Sequence, residues 1–175
     1  MSTVIGASFY DKSKNYFAVI GDLAFFYDLN SLGNRHISNN LRILLINNGC
    51  GTEFHNYSHP ANILGDEKIS NYIAADGHFG NKSRTLVKDF AENLGFEYIS
   101  ADSKESCIEK IDYFVSDKIY DKPLIFEVFT SSDDESNAIH RIRKLKETKG
   151  EVLKSKIKKN LSPNMKAKIK KIMGK

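Results

Sequence analysis

The sequence predicts an α/β fold, three layers deep (α/β/α), built on a mainly parallel sheet. Three observations carry that prediction. Four apolar runs have the length and composition of strands. Stretches with helical spacing separate them, so strand and helix alternate along the chain. The runs are apolar at successive positions, which suits strands buried on both faces by flanking helices.

The first strand is predicted at residues 16–21 (YFAVIG) and the second at 42–48 (RILLINN), with four consecutive aliphatic residues. Residues 96–101 (FEYISA) and 124–130 (LIFEVFT) supply the other two. Between the first pair, Phe25, Phe26, Leu29 and Leu32 recur at helical spacing, and Gly33 reads as the stop. Leu86, Val87, Phe90, Ala91 and Leu94 repeat the pattern ahead of Gly95. Asp102 with Glu105, and Ser132 with Glu135, read as capping boxes opening two further helices. Residues 49–82 break the rhythm, being rich in Gly, Asn, His and Asp, and a loop of that length inside a compact domain is usually functional.

Composition narrows the function classes. No run approaches the ~20 apolar residues of a membrane span, and Met1 is not followed by a basic, secretory-type start. Cys50 and Cys107 make neither a disulfide framework nor a zinc site, which fits a reducing, cytoplasmic setting. The net charge of +4 conceals an asymmetry. Residues 151–175 hold nine Lys against Glu151, and the remainder holds 17 basic and 21 acidic residues. The body is therefore mildly acidic, which removes most of the support for a nucleic-acid binder. In the tail Leu153, Ile157, Leu161, Met165, Ile169 and Ile172 follow helical spacing. We expect residues 1–150 to form the domain and 151–175 a basic amphipathic tail. That tail suits packing on the body or on another subunit, or contact with an anionic membrane surface. It has no aromatic residue to stack on bases.

The chemistry is expected at the strand ends. In an open α/β sheet, ligands bind beyond the carboxyl ends of the strands. Gly21-Asp22 ends one strand and Asn47-Asn48 ends the next, one strand–helix–strand unit apart. Neighbouring strands would bring Asp22 and Asn48 side by side, a hard-oxygen pair suited to Mg²⁺ with positions left for phosphate oxygens and water. Gly49 and Gly51 let the backbone turn around Cys50 and offer a carbonyl oxygen. A helix starting after Asp22 would aim the N–H groups of Leu23 and Ala24 at an anion. The competing reading is plainer: Asp22 caps a helix, and Asn47-Asn48 makes a turn.

Gly-Asp, roughly twenty-five residues, then Asn-Asn resembles the signature of thiamine-diphosphate-dependent enzymes, where it marks the C-terminal diphosphate-binding (PP) domain. Residues 2–8 (STVIGAS) resemble the small-residue helix preceding that motif. Residues 21–32 (GDLAFFYDLNSL), and His78-Phe79 ahead of the Leu86 helix, are similar to the menaquinone-pathway branch of the family. The likeness runs from residue 2 to about 130 and does not extend to the tail, which hints at a paralogue serving surface-polysaccharide synthesis. It implies a thiamine-diphosphate fold with thiamine diphosphate and Mg²⁺ as cofactors. Asp22 and Asn48 would ligate Mg²⁺ through side chains and Cys50 through its carbonyl. Gly21, Leu23, Ala24, Asn47 and Gly51 would complete the diphosphate cradle. Ala24 stands where Ser is often found.

The implied parent activity is decarboxylation of a 2-oxo acid with carbon–carbon bond formation. No residue of this chain is assigned a catalytic role, because the activating glutamate belongs to a pyrimidine-binding domain. That domain is expected on an upstream or separate chain, making this chain a truncated fragment or subunit of a homo-oligomeric synthase or decarboxylase with little activity alone. A non-catalytic phosphate- or nucleotide-binding module, or a docking subunit, is the reading of a different class. His55 and His59, four apart, read as loop histidines rather than metal ligands, with His55 able to orient a substrate carboxylate. His78, beside Asp76 and Gly77, reads as a loop contact. Glu127, within an apolar run, reads as an edge or outward-facing residue, and the Cys50 thiol as uninvolved.

Overall fold

The structure is a computed structural model that describes residues 1–56, 59–72, 83–146 and 150. It is α/β, with helices on both faces of a four-stranded parallel sheet of order β1-β2-β4-β3. The strands are β1 (Tyr16–Gly21), β2 (Leu41–Asn47), β3 (Glu97–Ala101) and β4 (Leu124–Phe129). All four fall within a residue of the predicted runs. The chain forms two compact units, Met1–Ser136 and Asn137–Lys175. The first contains the whole sheet. In the second, the described residues are the later part of α7 (Ser132–Lys146), where Ile142 and Leu145 are exposed, and Gly150. The expected basic tail, 151–175, lies outside the described residues, as do Asp76, Gly77, His78 and Phe79. Among the described residues no helix is long and apolar enough to cross a membrane.

Period-two alternation of side chains splits the core across the sheet. On one face Leu41, Ile43, Leu45 and Ile125 pack with Ile5 of α1 (Ser2–Ser8), Phe25 of α2 (Asp22–Tyr27), and Val87 and Ala91 of α5 (Leu86–Asn93). On the other, Leu124 and Phe126 pack with Phe114 of α6 (Lys104–Val115). β1 departs from the expectation of burial on both faces. It is an edge strand, half-buried at Tyr16, Ala18 and Ile20 but exposed at Phe17 and, at 72%, Val19. α6 packs mainly over β3 and β4 and reaches this face of β1 at Phe17, whose ring meets Phe114 edge-on at 5.6 Å.

The helix boundaries show where local signals compete. The segment from Phe25 to Gly33 is not one helix: α2 stops at Tyr27 and a 3₁₀ turn, Leu29–Gly33, follows. Asp28 interrupts it because its carboxylate accepts the Ser2 N–H at 2.6 Å and the Ser2 hydroxyl at 2.7 Å, tying α2 to α1. α5 ends as predicted at Gly95, whose φ is +85°. The Gly95 N–H reaches the Glu92 carbonyl and the Phe96 N–H the Ala91 carbonyl, a Schellman closure that only a left-handed residue permits cheaply. Both predicted capping boxes are displaced by one residue. α6 is capped by Ser103 with Ser106, not by Asp102 with Glu105. α7 is opened by Ser131, which accepts the Asp134 N–H at 3.1 Å.

The described part of the long predicted loop is a string of short helices. These are α3 (Thr52–His55), a 3₁₀ turn (Pro60–Leu64) and α4 (Asp66–Tyr72).

Candidate functional site

Register decides what meets at the carboxyl edge of the sheet. β1 and β2 pair in parallel with Gly21 opposite Ile46, and β2 and β4 pair with Asn47 opposite Phe129. The residues following these three strands therefore emerge together. Asp22, 1% exposed, is the first residue of α2, and its Oδ2 accepts the Gly49 N–H at 2.8 Å. The first tip is thereby joined to the loop after the second. Parallel pairing of consecutive strands brings the Asp22 tip against the loop that carries Asn48.

The loop 47–51 is internally braced. Gly49 has φ of +80°, a conformation most side chains resist. Its N–H also reaches Asn47 Oδ1 at 3.2 Å. Asn48 Oδ1 accepts the Cys50 N–H at 2.9 Å, an Asx turn, so the plainer reading of Asn47-Asn48 as turn-formers holds alongside any ligand role. Asn48 Nδ2 donates to Glu135 Oε1 at 2.9 Å, and that oxygen also takes the Thr130 hydroxyl at 2.5 Å. This explains why Glu135 does not complete a capping box: its carboxylate holds Asn48 instead. The Cys50 carbonyl accepts the Thr52 N–H at 3.1 Å. Leu23 and Ala24 lie in the first turn of α2, where N–H groups precede the intrahelical ladder.

The two strand tips that the Gly49–Asp22 bond joins carry one carboxylate (Asp22), one carboxamide (Asn48) and the Cys50 backbone carbonyl. That donor set is all hard oxygen and fits Mg²⁺ better than softer metals. Among the described residues no three His, Cys, Asp or Glu side chains cluster as a metal centre. Cys50 and Cys107 are both free thiols.

A cavity of about 590 Å³ opens over this loop, lined by Asn48, Gly49, Cys50, His55, Asp66 and Ser132 among others. His55 sits in its wall between Asp66, 3.4 Å from Nδ1, and Ser70, 3.4 Å from Nε2. His59 is occupied differently. Its Nδ1 accepts the Ala61 N–H at 3.1 Å and its ring meets Phe54 edge-on. The two histidines do not share a ligand position.

Two buried charged residues escaped the sequence reading, Glu127 beside the site and Arg42 at the opposite, amino-terminal end of the sheet. Glu127 is not at an edge or facing outward. It lies on the inner strand β4, 1% exposed. Its Oε1 accepts Asn47 Nδ2 and its Oε2 the Tyr98 hydroxyl, both at 2.6 Å. Burial pushes its carboxyl above the usual range and Asp22 adds to that, while the Asn47 and Tyr98 donors and the Arg84 charge oppose it. The Tyr98 hydroxyl is likewise pushed up, by burial first and then by its bond to Glu127. Arg42, 1% exposed, is the second. It donates to the carbonyls of Phe114 (2.5 Å) and Ser116 (2.6 Å), and to that of Lys118. An apolar run containing one Glu or Arg gives no sign of whether that residue meets a partner inside.

Together these features define a parallel α/β domain whose candidate site lies at the carboxyl ends of adjacent strands, built from an acid, an amide and a glycine-turned loop. No family model matches the chain. Over 139 residues it is 37% identical to 2-succinyl-5-enolpyruvyl-6-hydroxy-3-cyclohexene-1-carboxylate synthase of Bacteroides fragilis, a match covering 79% of this chain and 23% of that protein. The synthases of the same name from Phocaeicola vulgatus and Flavobacterium psychrophilum are 35% identical over 142 residues and 33% over 129. The chain is thus a homologue of this synthase family, and it spans about a quarter of the length of these curated relatives.

Proposed function

We propose that the sheet unit holds the diphosphate of thiamine diphosphate through Mg²⁺, as one segment of a thiamine-diphosphate-dependent 2-oxo acid decarboxylase and carboligase related to the menaquinone-pathway synthase. The observation that carries this reading is the Gly49 N–H seated on the buried Asp22 carboxylate, which locks the Gly-Asp and Asn-Asn strand tips together. The kinship with the synthases supports the choice of cofactor.

In this reading Asp22, Asn48 and the Cys50 carbonyl are the Mg²⁺ ligands. The Asp22 carboxylate is buried, so its attraction for a divalent cation is weakly screened. Glu135 orients the Asn48 carboxamide through Nδ2, so that Oδ1 faces the loop rather than solvent. Gly21 and Gly51 keep the backbone approach open, Asn47 shapes the turn, and the N–H groups of Leu23 and Ala24 meet the phosphate oxygens. Thiamine diphosphate, when bound, supplies the nucleophilic carbon for decarboxylating the 2-oxo acid. A pyrimidine-binding domain, upstream or on another chain, completes the site within an oligomer.

Titration calorimetry of thiamine diphosphate into the chain, with and without Mg²⁺, tests this directly. The expected result is binding that requires Mg²⁺ and disappears in Asp22→Asn, which keeps the size and an acceptor for Gly49 while removing the charge. Binding indifferent to Mg²⁺ and to Asp22→Asn would refute the site. Phosphate or nucleotide binding without thiamine selectivity would favour a phosphate-binding regulatory module instead.

A further inference from the structure

Glu127 is a costly residue to place within a sheet. Its carboxyl is 1% exposed, on a strand whose neighbours Leu124, Ile125 and Phe126 are all fully buried. Both its oxygens are engaged, Oε1 by Asn47 and Oε2 by Tyr98. Asn47 is engaged at both ends in turn. Its Nδ2 goes to Glu127 and its Oδ1 accepts from Gly49, the same N–H that bonds to Asp22. A continuous line of hydrogen bonds therefore runs from Tyr98 on β3, through Glu127 on β4 and Asn47 on β2, to the Gly49 N–H and the Asp22 carboxylate after β1. It crosses the entire sheet and ends at the candidate cation site.

We infer that Glu127 is a positioning residue for that site: by fixing the Asn47 carboxamide with its oxygen toward Gly49, it sets the turn that carries Asn48 and Cys50. The inference rests on the reading of the site given above. A carboxamide can turn over, exchanging its donor and acceptor ends. Only one orientation serves Gly49, and an acceptor at residue 127 selects it. An aliphatic side chain at 127 would fill the space but leave Asn47 Nδ2 buried without a partner and the turn without a preferred orientation. Supporting partners of this kind hold ligands in register, and losing one typically costs metal affinity 10–100-fold.

The test compares Glu127→Leu, Glu127→Gln and Tyr98→Phe in the full chain, with Ile43→Val as a packing control away from the strand tips. Two quantities are read: the Mg²⁺-dependent affinity for thiamine diphosphate, and hydrogen exchange at the Gly49 amide by NMR. Glu127→Leu is expected to weaken binding by roughly 10–100-fold and to speed Gly49 exchange. Glu127→Gln retains an acceptor for Asn47 and can donate to the Tyr98 oxygen, so both quantities should stay within about 3-fold of the parent. Tyr98→Phe releases one oxygen of Glu127 and should fall between them. Ile43→Val should leave Gly49 exchange unchanged. Should Glu127→Leu fail to fold, the ordering of Tyr98→Phe against Glu127→Gln carries the decision. Parent-like Gly49 protection and affinity in Glu127→Leu, or equal losses in Glu127→Gln, would overturn the inference. If the parent chain binds no thiamine diphosphate, the functional proposal fails, and Gly49 exchange still decides the role of Glu127.

Discussion

Replacing Arg42 by Met tests the account of how the sheet holds α6. The guanidinium is 1% exposed and donates to the carbonyls of Phe114, Ser116 and Lys118, where α6 ends. It also lies over the rings of Tyr120, at 4.6 Å, and Phe17, at 5.4 Å. A helix leaves its last carbonyls without intrahelical partners, and here one side chain collects them. Met fills similar volume and supplies no donor. The buried Phe114 carbonyl loses its partner at a cost of about 1–3 kcal/mol. The Ser116 and Lys118 carbonyls are only partly buried, so water recovers some of theirs. The two ring contacts contribute about 1 kcal/mol together. Relief from desolvating the cation offsets part of the sum. We expect a net loss of about 3 kcal/mol, or a midpoint lowered by roughly 6–12 °C for a chain of this size. Urea unfolding followed by circular dichroism measures it. Arg42→Lys should lose less, because one ammonium retains charge but cannot fork to separate carbonyls. A stability of Arg42→Met within about 0.5 kcal/mol of the parent would refute the capping role.

Three further outcomes follow from the local geometry. Gly49→Ala forces a Cβ onto a φ of +80° and should cost about 1–2 kcal/mol, read by thermal melting. Ser103→Ala should remove about 1 kcal/mol and Asp102→Ala less than about 0.5, because the structure puts the cap on Ser103. The reverse order would restore the capping box expected from sequence. Bonds from the Ser2 N–H and hydroxyl hold the Asp28 carboxyl down to about 2 from its ordinary 3.8. Its stabilisation is therefore complete above about pH 3.8 and is lost as the pH falls toward 2. The stability gap between the parent and Asp28→Asn, measured across that range, should close in acid. A gap that stays constant would show that Asp28 does not act through its charge.

The four strands and their parallel sense were legible because continuous Val, Ile, Leu and Phe runs alternating with amphipathic helices admit few other arrangements. Asp22 and Asn48 were legible for the same reason, since one strand–helix–strand unit brings consecutive tips together. The caps of α6 and α7 were misplaced by one residue because Asp102 and Ser132 carry the same chemistry as their neighbours Ser103 and Ser131. Backbone geometry, which a local pattern does not encode, chose between them. Glu127 was misjudged because an isolated acid in an apolar run has the same signature at an edge and in a centre.

The sequence by itself determined the class of fold, the strand positions and the oxygen-rich pair at two strand tips, because side-chain periodicity and turn chemistry are local properties. Only the tertiary structure decided that β1 lies at an edge with Phe17 and Val19 exposed, that Arg42 closes the end of α6, and that Tyr98, Glu127 and Asn47 join three strands to Gly49. Those outcomes depend on strand order and register. They bring together residues from β2 and β4 that lie 80 apart in the chain, and no local pattern reports a partner at that distance.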